Sequence, residues 1–240
     1  MSTCLVTGGA TGVGLETAKQ LATIHDEVVI CGRRAEKLQD AKVEILSAAD
    51  VKATVHTVTA DVSRVAEVTR VFDYIASHCH APLRVCVNNA GVLHKASVVD
   101  MTEAMWDEQI ACNLKASFLC AQAAFATMQR HQGGGCIVNV SSLAGIAGME
   151  KFPGMSAYVA AKHGVVGLTE ALAVEGRPLG IRVNCVAPGA VDTEMLKIAG
   201  IDCQDKLYPR EVAHVIVSYC DVTSSADKTG HVEIVTTDNR

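Results

Sequence analysis

The sequence predicts an α/β fold: one parallel sheet with helices packed on both of its faces. Short apolar runs alternate along the whole chain with longer segments whose apolar residues recur at helical spacing. Within 240 residues there is no internal repeat, low-complexity linker or break in composition. Residues 1–240 therefore read as a single domain, long enough to bury a full core.

The elements follow in order. Leu5-Val6 begins a strand that stops at Gly8, residues 13 to about 24 read as a helix, and 27–31 as a buried strand. A polar helix covers about 35–48, and 53–58 alternates as a strand does. Ser63 is placed as the N-cap of a helix running to about 77, with Val65, Val68, Val71, Phe72 and Ile75 as its apolar stripe. Residues 84–87 make a fourth strand, 103–131 a long helical region, and 136–140 a fifth strand after three consecutive glycines. A helix around Tyr158, a strand over 181–186, a helix near 210–220 and a last strand over 232–235 complete the pattern.

Charge excludes several classes of partner. The net charge is −5, with both signs scattered, so no basic stripe marks a nucleic-acid or anionic-membrane surface. The apolar run before Gly8-Gly9 is too short for a signal peptide, and no stretch is apolar enough to span a bilayer, which points to the cytoplasm. Ten cysteines are present without any Cys-x-x-Cys pair, most of them among Val, Ile and Ala, where a thiol acts as a small hydrophobe. His78-Cys79-His80 lacks the separated second ligand pair of a structural zinc site, so no metal is expected.

Two stretches carry chemistry. Thr7-Gly8-Gly9-Ala10-Thr11-Gly12-Val13-Gly14 lies between the first strand and first helix, where glycines let backbone N–H groups approach a pyrophosphate. Tyr158 and Lys162, four apart, project from one helix face. A phenol ionises near pH ~10. A cation one turn away favours the phenolate and lowers that value, suiting proton transfer to or from a substrate oxygen. The same spacing also occurs on ordinary amphipathic helices, so the pair takes its meaning from its neighbours.

Those neighbours are Asn88-Asn89-Ala90-Gly91 after the fourth strand, Asn113 in the long helix, Ser141-Ser142-Leu143-Ala144-Gly145 after the fifth, and Pro188-Gly189 after the sixth. With them the chain resembles the short-chain dehydrogenases/reductases over nearly its whole length. The resemblance implies a Rossmann-type, doubly wound sheet and hydride transfer between a nicotinamide cofactor and a small carbonyl or alcohol. Tyr158 would be the acid or base, Ser142 would hydrogen-bond the reacting oxygen, Lys162 would lower the phenol's pKa and hold the nicotinamide ribose, and Asn113 would complete a proton relay.

The resemblance also assigns a cofactor site. Gly8, Thr11, Gly12, Val13 and Gly14 form the pyrophosphate turn, Asp61 and Val62 meet the adenine, and Asn89, Ala90 and Gly91 line the ribose and nicotinamide side. Pro188 and Gly189 follow the sixth strand, and Val191 and Thr193 contact the carboxamide. Gly32 stands where NAD-preferring enzymes carry a carboxylate, and Arg33 follows with a planar set of donors suited to a 2′-phosphate. NADP(H) is therefore expected ahead of NAD(H), although Val13 lacks the basic side chain of some NADP-preferring members.

Several features depart from the pattern. Ser142 and Tyr158 are 16 residues apart, more than the family's usual spacing, with the extra residues at 148–154. A loop absorbs such an insertion at little cost, so it should reshape the pocket wall and spare the catalytic geometry. Gly145 stands at the usual serine spacing but has no hydroxyl. The substrate loop around 192–208 is short, with room for one helical turn. Leu143, Met149, Phe152, Met155 and Met195 are candidate walls that ordinary packing would explain equally, and His94 reads as a surface-loop residue.

The resemblance further implies a homodimer or homotetramer built on the long helix and the Tyr158 helix. Ala116, Ala123, Ala124, Ala126, Ala160, Ala161, Gly164 and Gly167 would permit close packing, either between subunits or against the chain's own sheet. The polar ending Thr237-Asp238-Asn239-Arg240 replaces the apolar tail of many members. Two alternatives stand beside the general reductase: a 3-oxoacyl-thioester reductase, and a non-catalytic NADP(H)-binding sensor, which the retention of Tyr158 and Lys162 disfavours.

Overall fold

The computed structural model describes residues 1–131, 133–221 and 228–237. Seven strands form one parallel sheet: β1 Thr3–Thr7, β2 Glu27–Gly32, β3 Thr54–Thr59, β4 Leu83–Asn88, β5 Gly135–Val140, β6 Ile181–Pro188 and β7 Val232–Val235. Their spatial order is β3-β2-β1-β4-β5-β6-β7. The order reverses between β1 and β4, and the crevice outside the carboxyl ends of those strands is where such sheets take ligands.

Helices α1 Gly12–Leu21, α2 Ala35–Leu46 and α8 Pro209–Ser218 cover one face, packing Leu21, Leu38, Ile45 and Ile216 on Val6, Val28, Ile30 and Val138. Helices α3 Val65–His78, α5 Ala116–Arg130 and α6 Ser156–Gly176 cover the other, with Phe72, Ile75, Leu119 and Leu172 against Leu5, Val29 and Ile137. The central strands are buried on both sides, which is why they read as continuous Val/Ile/Cys runs. All ten cysteines are free, and seven of them, including Cys4, Cys86 and Cys136, are buried in the core. No described helix is long and apolar enough to cross a membrane.

Three local expectations are corrected. The N-cap of α3 is Arg64, because Ser63 spends its hydroxyl and N–H on Asp61 Oδ1, at 2.7 and 3.1 Å. Val65, the first residue of α3, is exposed, while Val68, Val71, Phe72 and Ile75 are buried as the stripe requires. The long helix is interrupted: α4 Glu103–Ile110 and α5 are joined by a π-helical turn, Ala111–Lys115, that contains Asn113. The substrate loop holds α7 Glu194–Ile198, and a bridge between Val191 and Leu207 closes its base. Residues 238–240 of the polar ending lie outside the described residues.

Candidate active site

The glycine turn closes between β1 and α1. Gly8 and Gly12 take φ of +66° and +56°, and a Cβ on Gly14 would stand 2.3 Å from the Gly8 carbonyl oxygen. No side chain caps α1, so its first N–H groups suit an anion drawn to the positive end of the helix. Asn89 holds the turn in place. Its Nδ2 donates to the Thr7 and Gly8 carbonyls at 3.0 and 3.3 Å, while the Thr7 hydroxyl accepts from the N–H groups of Asn89 and Ala90, each at 3.0 Å. Thr193, N-cap of α7, packs over the turn, so that a Cβ on Gly12 would meet its Cγ2 at 3.1 Å. Thr11 and Val13 flank Gly12 in the same turn, and Gly189 and Val191 follow Pro188, the last residue of β6.

At the other end of the crevice, Arg33 is exposed and pairs with Glu108 at 3.5 Å, and Arg34 pairs with Glu194 at 3.2 Å. Partial burial pushes the Asp61 carboxyl upward, but the Ser63 hydrogen bonds and the Arg33 and Arg64 charges more than offset this and hold it below the usual carboxylate range. Val62 is buried beside it.

Of the four catalytic candidates, Asn113 and Lys162 face Gly91, Tyr158 lies beside Lys162, and Ser142 lies beside Tyr158. Tyr158 and Lys162 rise from the first turns of α6 and are only 9% and 4% exposed. Lys162 Nζ donates to the Val140 carbonyl at 2.8 Å and lies 5.5 Å from the Tyr158 ring centroid. The Ser142 hydroxyl lies beside the Tyr158 phenol and accepts from the Ala144 N–H at 3.2 Å. Asn113 Oδ1 and Lys162 Nζ face the same Gly91, where a Cβ would lie 2.5 and 3.8 Å from them. The Asn113 side chain is fully engaged: it accepts from Val92 N–H at 3.2 Å and donates to the Val92 and Gln109 carbonyls at 2.9 and 2.8 Å. It clamps the loop after β4 over the lysine, a role that spacing alone does not reveal.

The expected acidification of the phenol is not what this arrangement produces. Burial pushes Tyr158 up to about 12, only partly countered by the Ser142 hydroxyl beside it, and the same desolvation pulls Lys162 down to about 8. Withdrawing both groups from water outweighs their mutual attraction, because the ammonium is turned toward Val140 rather than the phenol oxygen.

The insertion folds back on its neighbours. Lys151 Nζ reaches back to the Ile146 carbonyl at 2.6 Å, and Ala96 N–H donates to the Gly154 carbonyl at 3.0 Å, folding the extra residues against two neighbouring loops. Gly145 has no room for a side chain, since a Cβ would stand 2.5 Å from the Lys162 carbonyl oxygen. Of the candidate walls, Met155 is buried against Tyr158 and Leu93, with Ala144, Val159, Ala199 and Ile201 beside them. Leu143 packs next to Gly189, whereas Met149, Phe152 and Met195 are exposed. Leu93, Ala199 and Ile201 were missed because single apolar residues in loops carry no periodic signal. His94 is bound to Glu108 at 2.9 Å, outside this cluster.

The family profile described as short chain dehydrogenase matches residues 2–203. The chain belongs to this family. Levodione reductase of Leifsonia aquatica is 38% identical over 196 residues, covering 80% of this short-chain dehydrogenase and 70% of the relative. A 3-oxoacyl-acyl-carrier-protein reductase of Staphylococcus aureus is 38% identical over 191 residues, covering 80% and 75%. Among solved structures, a tryptophan-substituted variant of actinorhodin polyketide ketoreductase with NADPH superposes with a TM-score of 0.87 at 28% identity, covering 99% of this chain and 97% of that one. This short-chain dehydrogenase is an NAD(P)-dependent oxidoreductase. The glycine turn at the start of α1, whose first N–H groups no side chain caps, fits the pyrophosphate of such a cofactor.

Proposed function

We propose that this short-chain dehydrogenase reduces the carbonyl of a small or medium-sized molecule, or oxidises the matching secondary alcohol, with NADP(H) preferred over NAD(H). The buried Tyr158–Lys162 pair, with Ser142 beside the phenol and Lys162 facing Gly91, carries this reading. The nicotinamide cofactor supplies or accepts the hydride. Tyr158 gives its phenolic proton to the substrate oxygen in reduction and takes it back in oxidation, and Ser142 hydrogen-bonds the same oxygen as charge develops there. Lys162 lies close enough to stabilise a phenolate once the site is filled, and Asn113, across Gly91, completes the path for the proton.

Gly8, Thr11, Gly12, Val13 and Gly14 hold the pyrophosphate, and Asp61 and Val62 the adenine. Asn89, Ala90, Gly91, Pro188, Gly189, Val191 and Thr193 hold the nicotinamide half. Arg33 gives up its exposed pairing with Glu108 for the 2′-phosphate, a bidentate partner worth more than a surface ion pair. The NADPH-bound ketoreductase neighbour supports the cofactor choice. The Staphylococcus aureus relative favours thioester-linked 3-oxo substrates as a second reading. The enzyme acts in the cytoplasm as a homo-oligomer.

The test is a carbonyl and alcohol panel, including acetoacetyl thioesters, run with NADPH and NADH in parallel. Turnover that favours NADPH supports the proposal, and binding without turnover across the panel overturns it in favour of a sensor. Arg33→Ala is expected to weaken NADPH binding by about 1–3 kcal/mol with little effect on NADH. Equal losses for both cofactors would remove Arg33 from the specificity argument.

A further inference from the structure

At the end of the sheet opposite the Tyr158 loops, Glu27 opens β2, His56 lies in β3, and Cys79 follows α3. Among the described residues these three form a cluster of metal-ligating side chains, with one ligand atom from each lying within 4.8 Å of the others. Three details distinguish the cluster from ordinary packing.

First, Glu27 is held with one oxygen committed and the other left over. Its Oε2 accepts from the Thr3 hydroxyl at 3.1 Å and from the His80 and Ala81 N–H groups at 2.8 and 2.9 Å, which leaves Oε1 toward His56. Second, the Tyr74 hydroxyl holds His56 Nδ1 at 3.2 Å, and the Tyr74 ring is itself stacked on His78. His56 Nε2 is buried with no hydrogen-bond partner, 3.6 Å from Glu27 Oε1, too far for a hydrogen bond. Third, Cys79 is free and only partly covered, so the cluster has a way in.

We propose that Glu27 Oε1, His56 Nε2 and Cys79 Sγ bind one divalent cation of borderline softness, with Zn²⁺ the best fit and water completing a tetrahedral shell. Carboxylate, imidazole and thiolate together suit zinc and not magnesium or calcium, which take oxygen ligands. Bonds of about 2.0–2.3 Å place tetrahedral ligands roughly 3.3–3.8 Å apart, so side-chain rotations of about 1 Å close the site. The Thr3, His80, Ala81 and Tyr74 contacts are the outer hydrogen bonds that orient such ligands. On binding, the Cys79 S–H bond breaks, its proton goes to solvent and the sulfur electron pair forms the metal bond. The ion would tie β2, β3 and the α3–β4 connection together, far from the hydride chemistry. The sequence hid this because the partners of Cys79 are not its neighbours His78 and His80 but residues brought in by strand pairing.

The test uses tag-free, full-length, reduced protein titrated with Co²⁺. One equivalent should bind with a near-ultraviolet thiolate-to-cobalt band, Zn²⁺ should displace it, and Zn²⁺ should raise the thermal midpoint. Cys79→Ser, confirmed folded by circular dichroism, should abolish the band, and His56→Gln should weaken Co²⁺ binding by about tenfold or more. Cys203→Ser should leave both intact. A wild-type titration without the thiolate band overturns the proposal, as does a band that survives in Cys79→Ser.

Discussion

Lys162 sits in the candidate active site as a buried ammonium with one hydrogen bond, to the Val140 carbonyl. Desolvation pulls its pKa from 10.5 to about 8, which corresponds to a cost on the order of 3 kcal/mol for keeping the charge at neutral pH. The folded state binds fewer protons than the unfolded state between about pH 8 and 10.5, so this cost is fully present below pH 8 and fades as pH rises through that window. We therefore expect Lys162→Met to lose turnover while raising the thermal midpoint at pH 7 by a few degrees, with a smaller rise at pH 10. A lower midpoint at pH 7 in the folded variant would show the ammonium to be stabilising instead. At this scale Tyr158, Lys162, Ser142 and Asn113 were legible as candidates, because each stands in an ordered motif. The direction of the phenol's shift was not, since spacing says that a cation is near but not how much water both groups lose.

Among the elements, the insertion and the π-helical turn shape the site. Lys151 folds the insertion onto the Leu143–Ile146 loop through the Ile146 carbonyl, with the Leu143 carbonyl at 3.4 Å. Lys151→Ala should free this wall, changing KM for bulky carbonyl substrates several-fold while leaving kcat for the smallest ones nearly unchanged. An equal fall in kcat for all substrates would mean that the loop supports Ser142 itself. The strands were legible because doubly buried runs such as 28–31 have no polar face to confuse them. The α3 cap was misread because Ser63 and Arg64 compete for the boundary and Asp61 captures the serine hydroxyl. The break at Ala111–Lys115 was not legible either, since one extra residue per turn barely alters an apolar pattern, yet it places Asn113 against Val92.

For the molecule as a whole, the sheet's α3–α5–α6 face leaves large apolar groups toward solvent. Phe118 on α5 is 42% exposed and Val174 on α6 is 72% exposed, with Ala126, Ala160 and Gly167 also open. By contrast Ala116, Ala124 and Ala161 pack into the chain's own interior, and Gly164 is spoken for by Leu114. Thus only part of the small-residue pattern remains for a partner copy. Phe118→Glu with Val174→Glu should lower the mass seen by light scattering toward one chain while the fold persists; an unchanged oligomer would place the interface elsewhere. Sequence could mark these helices but not divide their small residues between sheet and solvent, because both uses share one composition.

The account rests on proton exchange at the Tyr158 hydroxyl, and Tyr158→Phe tests it most directly because it removes one oxygen and keeps the ring that packs on Leu93 and Met155. Steady-state turnover should fall by roughly 10²–10⁴-fold while NADPH binding stays close to that of the unaltered protein. Turnover at the unaltered rate would contradict the account.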